Sequence, residues 1–295
     1  MTLPPPVAAL RVGKSGCGGE GRSNLTESSA MRNEYLRNLN KIEFVVTYAC
    51  TGRCKHCSEG EHEGCGERID PSVAAEAVRS ISEAYDIETV MTFGGEPLLY
   101  PETVSAIISA AKEMKVPRRQ VITNGYFSTS SERVRSVAEL LSQCGVNDLL
   151  LSVDAFHQET IPIEAVRLFA LEVLRVGVPV RLQPAWLVSP EDDNPYNRKT
   201  RRILTDFAHI CPLTGEGNAA FPAGNTIFPE GNAKKYLSEY FINSSPQNPY
   251  VEDPCDIRCV SFSPNGDVLG SNVYKKRCSD ILDGYLPRKD RLQNR

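Results

Sequence analysis

The sequence has 295 residues, 41% of them hydrophobic, and a formal net charge of −4 from 33 basic and 37 acidic side chains. A chain this long buries a sizeable core, as one large domain or a domain with an appendage. Charges of both signs are mixed along it, so it has neither a nucleic-acid footprint nor a polybasic membrane patch. The longest apolar runs, such as "LLLSV" and "IEFVV", have strand length and offer no membrane span. Residues 1–39, rich in Pro, Gly and Ser in their first part, read as a disordered segment without the pattern of a secretion signal. Their Gly13-Lys14-Ser15 is no phosphate loop, since Ala8 stands where that motif needs glycine. Ten cysteines without a signal point to metal or redox chemistry in a reducing cytoplasm rather than to disulfides.

From about residue 40 strands and helices alternate. "IEFVVT" (42–47) has the β-branched and aromatic content of a strand, and a cysteine-bearing loop follows it. In "DPSVAAEAVRSISEAY" Asp70 can cap a helix, Pro71 suits its first turn, and Val73, Ala77, Ile81 and Ala84 share one face. The unit recurs as "ETVMTF" with a helix over 101–115, "QVIT" with a helix over 131–143, and "DLLLSV" with "IEAVRLFALEVLRVG". Strand "PVRLQPAWLV", a helix near "KTRRILTDFAHI" and a weak strand over 211–220 bring the count to nearly six units. Such alternation means parallel pairing with right-handed crossovers, in an open doubly wound sheet or a barrel. Polar residues after every strand suit a cup. The expected class is therefore α/β, a partial (β/α)6 TIM-type barrel over 40–220 with a small C-terminal extension over 221–295.

In either architecture, ligand-binding groups gather beyond the C-terminal ends of the strands. Cys50, Cys54 and Cys57 lie there, spaced C-x3-C-x2-C after the first strand, with "GGEP" (94–97) after the second, Asn124 after the third, "SVDAFH" across the end of the fourth and Gln183 in the fifth. Three thiolates leave one corner of a tetrahedral ion or of an iron–sulfur cubane to be filled. His56, His62 or Cys65 would complete a structural zinc site; a small molecule binding through an amine and a carboxylate would complete a [4Fe-4S] cluster. Gly94 and Gly95 allow close backbone approach, and Glu96 could accept from an ammonium. "GGEP" is equally an ordinary strand-to-helix turn, Asp154 an ordinary helix cap, Asn124-Gly125 a common turn, and Gln183 a side chain able to bond within a sheet core.

With the three cysteines after the first strand, His56 at a position usually aromatic or His, and Gly94-Gly95-Glu96-Pro97 one unit later, the chain resembles the radical S-adenosylmethionine (radical SAM) enzymes. The resemblance implies that Cys50, Cys54 and Cys57 bind a [4Fe-4S] cluster whose open iron takes the amine and carboxylate of S-adenosylmethionine. It implies a cofactor site built from His56, Gly94, Gly95, Glu96, Pro97, Asn124, Ser152, Asp154 and Gln183, with Ser152 and Asp154 near the ribose and "GEGNAA" (215–220) along the adenine. It also implies a low-potential electron donor of flavodoxin or ferredoxin type. Reductive cleavage then gives a 5′-deoxyadenosyl radical that abstracts hydrogen from an unidentified peptide, protein or small metabolite. The basic residue that relatives often place soon after the fourth strand has no counterpart before Arg167.

The tail, "CDIRCVSFSPNGDVLGSNVYKKRC", has a hairpin pattern at Asn265-Gly266. Through Cys255 and Gly266 it resembles the start of the SPASM extension, an auxiliary-cluster domain, and it departs from that pattern at Ser271 and in the later cysteines. A two-cluster peptide maturase using Cys255, Cys259 and Cys278 is one alternative, although some 40 N-terminal residues are too few for a leader-binding domain. A non-enzymatic zinc scaffold is the other. Serine is a poor ligand for soft iron–sulfur centres, so one cluster per chain is expected.

Overall fold

The computed structural model describes residues 33–62, 66–213, 221–243 and 246–287. The Pro- and Gly-rich part of the N-terminal segment with Cys17, Cys65 and the "GEGNAA" stretch lie outside the described residues. The first four units follow the sequence pattern closely. They are β1 (Lys41–Val45) and α1 (Pro71–Ala84), β2 (Thr89–Phe93) and α2 (Pro101–Glu113), β3 (Arg118–Thr123) and α3 (Ser131–Cys144), and β4 (Asp148–Leu151) and α4 (Ile163–Arg175). Asp70 caps α1 as its position suggests: its Oδ1 accepts from the N–H groups of Ser72 at 2.8 Å and Val73 at 3.1 Å. Such a cap is worth about 1 kcal/mol.

The fifth expected strand divides into β5 (Val180–Leu182) and β6 (Ala185–Leu187). Pro184 has no N–H to continue a ladder, and its carbonyl instead accepts from Asn225 N at 2.8 Å. After α5 (Pro195–Phe207) the next strand is β7 (Asn225–Ile227), parallel to β6. It lies later than the weak strand expected over 211–220, of which 214–220 lie outside the described residues. A short helix α6 (Gly231–Tyr236) follows, then β8 (Cys259–Phe262), the hairpin strands β9 (Asp267–Val268) and β10 (Ser271–Asn272), and α7 (Cys278–Asp283).

Among the described residues six strands form one sheet in the order β5-β4-β3-β2-β1-β8, each pair parallel. This is the α/β, partial TIM-type barrel that the alternation leads one to expect. One edge comes from the tail: β8 pairs with β1 from Lys41 opposite Cys259 to Phe44 opposite Phe262, and the Phe44 and Phe262 rings stack at 4.8 Å. Ile42, Phe44, Val90, Val121 and Leu149 pack against the buried faces of α1 to α4 in one continuous core. No helix among the described residues is long and apolar enough to cross a membrane.

Candidate active site

The loop after β1 carries Cys50, Cys54 and Cys57, all free thiols, onto the wall of a cavity at the C-terminal ends of the strands. His56, Gly94, Gly95, Asn124, Ser152 and Gln183 line the same cavity. Burial pushes the Cys50 thiol up to about 11, with the nearby Glu96 carboxylate adding to the effect. Burial raises Cys54 further and Cys57 as well. These thiols stay protonated until a cation compensates them, so metal uptake would release protons. Two donors already address Cys50 Sγ: Gly52 N at 3.3 Å and Asn124 Nδ2 at 3.6 Å.

The glycines of "GGEP" have a definite steric reason. A Cβ on Gly94, whose φ is +134°, would lie 2.4 Å from the Thr47 carbonyl oxygen, and one on Gly95 would lie 2.1 Å from that of Ala49. What approaches them is the chain's own cysteine loop, which they let settle against the end of β2. Main-chain bonds from Gly95 N to Thr47 O and from Glu96 N to Ala49 O, both 2.8 Å, hold that contact.

Glu96, Pro97 and Asp154 stand behind the wall rather than on it. Glu96 is fully buried. Its Oε1 accepts from Leu98 N at 2.9 Å and the Thr123 hydroxyl at 2.8 Å, and its Oε2 accepts from Asn124 N at 2.8 Å. Burial outweighs these bonds and raises its pKa to about 7. The carboxylate thereby fixes the turn after β3 that aims Asn124 at the cysteines. Pro97, also buried, opens the short helical turn that Glu96 caps.

Asp154 is fully buried too. Its Oδ1 accepts from the N–H groups of Phe156 and His157, and its Oδ2 from Ala185 N at 3.0 Å. The His157 ring nitrogen Nδ1 lies 2.7 Å from the same Oδ2. Burial works against the charge, but His157 and these donors hold the carboxyl well below the usual carboxylate range.

His157, Glu59, Asn225 and Tyr250 also line the cavity, although sequence reasoning did not single them out. The signal for His157 was its place three residues after Asp154 in "SVDAFH". Its ring meets that of His56 edge-on, with centroids 4.7 Å apart. Burial lowers the His56 pKa to about 4, and its Nδ1 is buried with no protein partner. Gln183 donates from Nε2 to Asn225 Oδ1, as does the Tyr250 hydroxyl, both at 3.0 Å.

His62, one candidate for a zinc corner, has its Nδ1 2.6 Å from the Tyr48 carbonyl and its Nε2 3.4 Å from Cys57 Sγ. Among the described residues no three His, Cys, Asp or Glu side chains are gathered to hold a single metal ion. Cys259 and Cys278 border separate hollows, the first with Pro254 and Tyr285, the second with Ser72 and Glu76.

Residues 44–176 match the family profile described as the Radical SAM superfamily. Over this segment the chain is similar to the radical SAM superfamily. The match implies an enzyme with a [4Fe-4S] cluster and S-adenosylmethionine as cofactors. It is similar to two curated proteins named "Probable GTP 3',8-cyclase". One, from Methanocaldococcus jannaschii, is 23% identical over 129 residues, 44% of this chain and 41% of that one. The other, from Sulfolobus acidocaldarius, is 28% identical over 127 residues, 42% of this chain and 37% of that one. The chain thus spans about two fifths of the length of the curated relatives it matches. Its fold is similar to that of Streptococcus suis SuiB bound to S-adenosylmethionine, with a TM-score of 0.55 and 13% identity over 85% of this chain and 67% of that one. SuiB bound to precursor peptide SuiA gives a TM-score of 0.54 and 15% identity over 83% and 65% of the two chains.

Proposed function

We propose that Cys50, Cys54 and Cys57 hold the [4Fe-4S] cluster, and that S-adenosylmethionine and a substrate share the cavity they open on. The observation that carries this reading is the convergence of three free thiols, Cys54 buried and Cys50 and Cys57 half-buried, with Gly94, Gly95, Asn124 and Ser152 on one cavity. Soft thiolates suit iron–sulfur centres. The unpartnered Nδ1 of His56 offers a buried polar contact of the kind a ligand would satisfy. Bound together, the two cofactors supply a 5′-deoxyadenosyl radical for hydrogen abstraction, with the electron coming from a flavodoxin- or ferredoxin-type donor.

The protein's own residues orient and enclose. Glu96 holds the turn that presents Asn124, Gly94 and Gly95 seat the cysteine loop, and Asp154 fixes the His157 ring on the wall. Glu59 lines the cavity, and among the described residues no Lys or Arg does. A nucleoside triphosphate there would face a carboxylate without a compensating cation. This supports a neutral or cationic substrate, a peptide or a small metabolite, over the nucleotide named for the curated relatives.

Reconstituted protein with dithionite and S-adenosylmethionine should form 5′-deoxyadenosine, and Cys54→Ala should abolish it. Wild-type protein that carries iron and sulfide yet yields none would overturn the assignment. A yield stimulated at least tenfold by GTP would overturn the substrate class.

A further inference from the structure

Asn232, at the second position of α6 and 178 residues from Cys54, is 7% exposed and grips the cysteine loop from behind. Its Nδ2 donates to the Cys54 carbonyl at 3.1 Å and the Gly60 carbonyl at 3.2 Å, while its main-chain N–H donates to the Cys57 carbonyl at 2.8 Å. The residue before it makes so close an approach possible. Gly231 has φ +51°, and a Cβ there would lie 2.3 Å from the Ser58 carbonyl oxygen. Outside this contact, Lys235 Nζ and the Tyr236 hydroxyl reach Glu61 Oε1 at 2.7 and 3.2 Å.

A peptide unit is planar, so fixing the carbonyls of residues 54, 57 and 60 also fixes the N–H groups that follow them, pointing away from α6. In the same loop the main-chain N–H of Gly52 donates to Cys50 Sγ at 3.3 Å. Hydrogen bonds to cluster sulfurs favour the more negative, reduced state and raise the reduction potential.

We propose that Asn232 is a positioning residue for the iron–sulfur cluster, fixing the backbone of the loop that carries Cys54 and Cys57 and thereby setting cluster potential and retention. This rests on the reading that Cys50, Cys54 and Cys57 hold the cluster. The segment that tunes it then lies outside residues 44–176, which match the family profile.

The test uses reconstituted full-length protein. Asn232→Asp keeps the shape and removes both side-chain donors; Asn232→Ser keeps one hydroxyl donor. Iron per chain, a redox titration followed by paramagnetic resonance, and the rate of cluster loss to a chelator are measured for each. Asn232→Asp should make reduction about tenfold less favourable, a fall of about 59 mV for one electron, and should lose its cluster faster than wild type. Asn232→Ser should fall between the two, a graded response that a role in folding alone would not give. If Asn232→Asp does not fold, the potential of the Ser variant decides. A potential and a chelator rate equal to those of wild type in the variants overturn the role of Asn232. Wild-type protein that binds no iron overturns the cluster reading, and with it this one.

Discussion

Replacing Glu96 by Gln should change the stability of the cluster-free protein in a way that depends on pH. Burial raises the Glu96 pKa from its ordinary 4.5 to about 7. The folded state therefore holds its proton more tightly than the unfolded chain does. The stability this confers is complete below pH 4.5 and is lost as pH rises through the folded value. With those two values the wild type loses about 0.8 kcal/mol by pH 5 and about 3.3 kcal/mol by pH 8, a difference of about 2.5 kcal/mol. Gln keeps an oxygen for Leu98 N and the Thr123 hydroxyl, but it turns an NH2 group toward Asn124 N, which now donates at 2.8 Å. That clash costs about 1–3 kcal/mol at every pH. Relative to wild type, Glu96→Gln should thus recover about 2.5 kcal/mol between pH 5 and pH 8. Urea unfolding of both proteins, anaerobic and reduced, measures this. Stability curves that run parallel in pH would refute the reasoning.

Asp154→Asn places an NH2 group against Ala185 N–H and the His157 ring and breaks a buried pair, so it should destabilise the protein by about 3–5 kcal/mol in thermal unfolding. His56→Phe removes a buried nitrogen without a protein partner and should raise cluster-free stability by about 1 kcal/mol; a clear loss would show that Nδ1 is bonded. Gly95→Ala forces a methyl to within 2.1 Å of the Ala49 carbonyl oxygen, so the cysteine loop must shift. The expected cost is about 1–3 kcal/mol, with iron uptake well below wild type by colorimetric assay.

The four leading strand–helix units were legible because each rule acted locally. Asp70 and Pro71 mark the start of α1 within a residue, and of the face expected for it Ala77 and Ile81 are buried while Val73 and Ala84 are half-buried, with Ala74, Ala75 and Val78 buried instead. The convergence of the cysteines with "GGEP" was legible for the same reason, since a parallel fold brings successive strand ends together. Three features were not. Pro184 interrupts a run whose composition is that of a single strand. β8 finds its partner β1 more than 200 residues away, in a four-residue segment too short for its pattern to be distinctive. Asn232 touches the cysteine loop only through carbonyls, which every residue has, so no side-chain pattern in the sequence points to it. At Glu96 and Asp154 the residue types were informative, but which way the carboxylates faced depended on donors from neighbouring turns.

Iron and acid-labile sulfide per chain, measured after anaerobic reconstitution of wild type and of a variant with Cys50, Cys54 and Cys57 all changed to Ala, test the central claim most directly. Wild type should be brown and hold about four irons and about four sulfides, and the triple variant should hold none. Colourless wild type with stoichiometric zinc would contradict the cluster assignment. A triple variant that keeps a full cluster with its own paramagnetic resonance signal would place the iron–sulfur chemistry elsewhere in the chain.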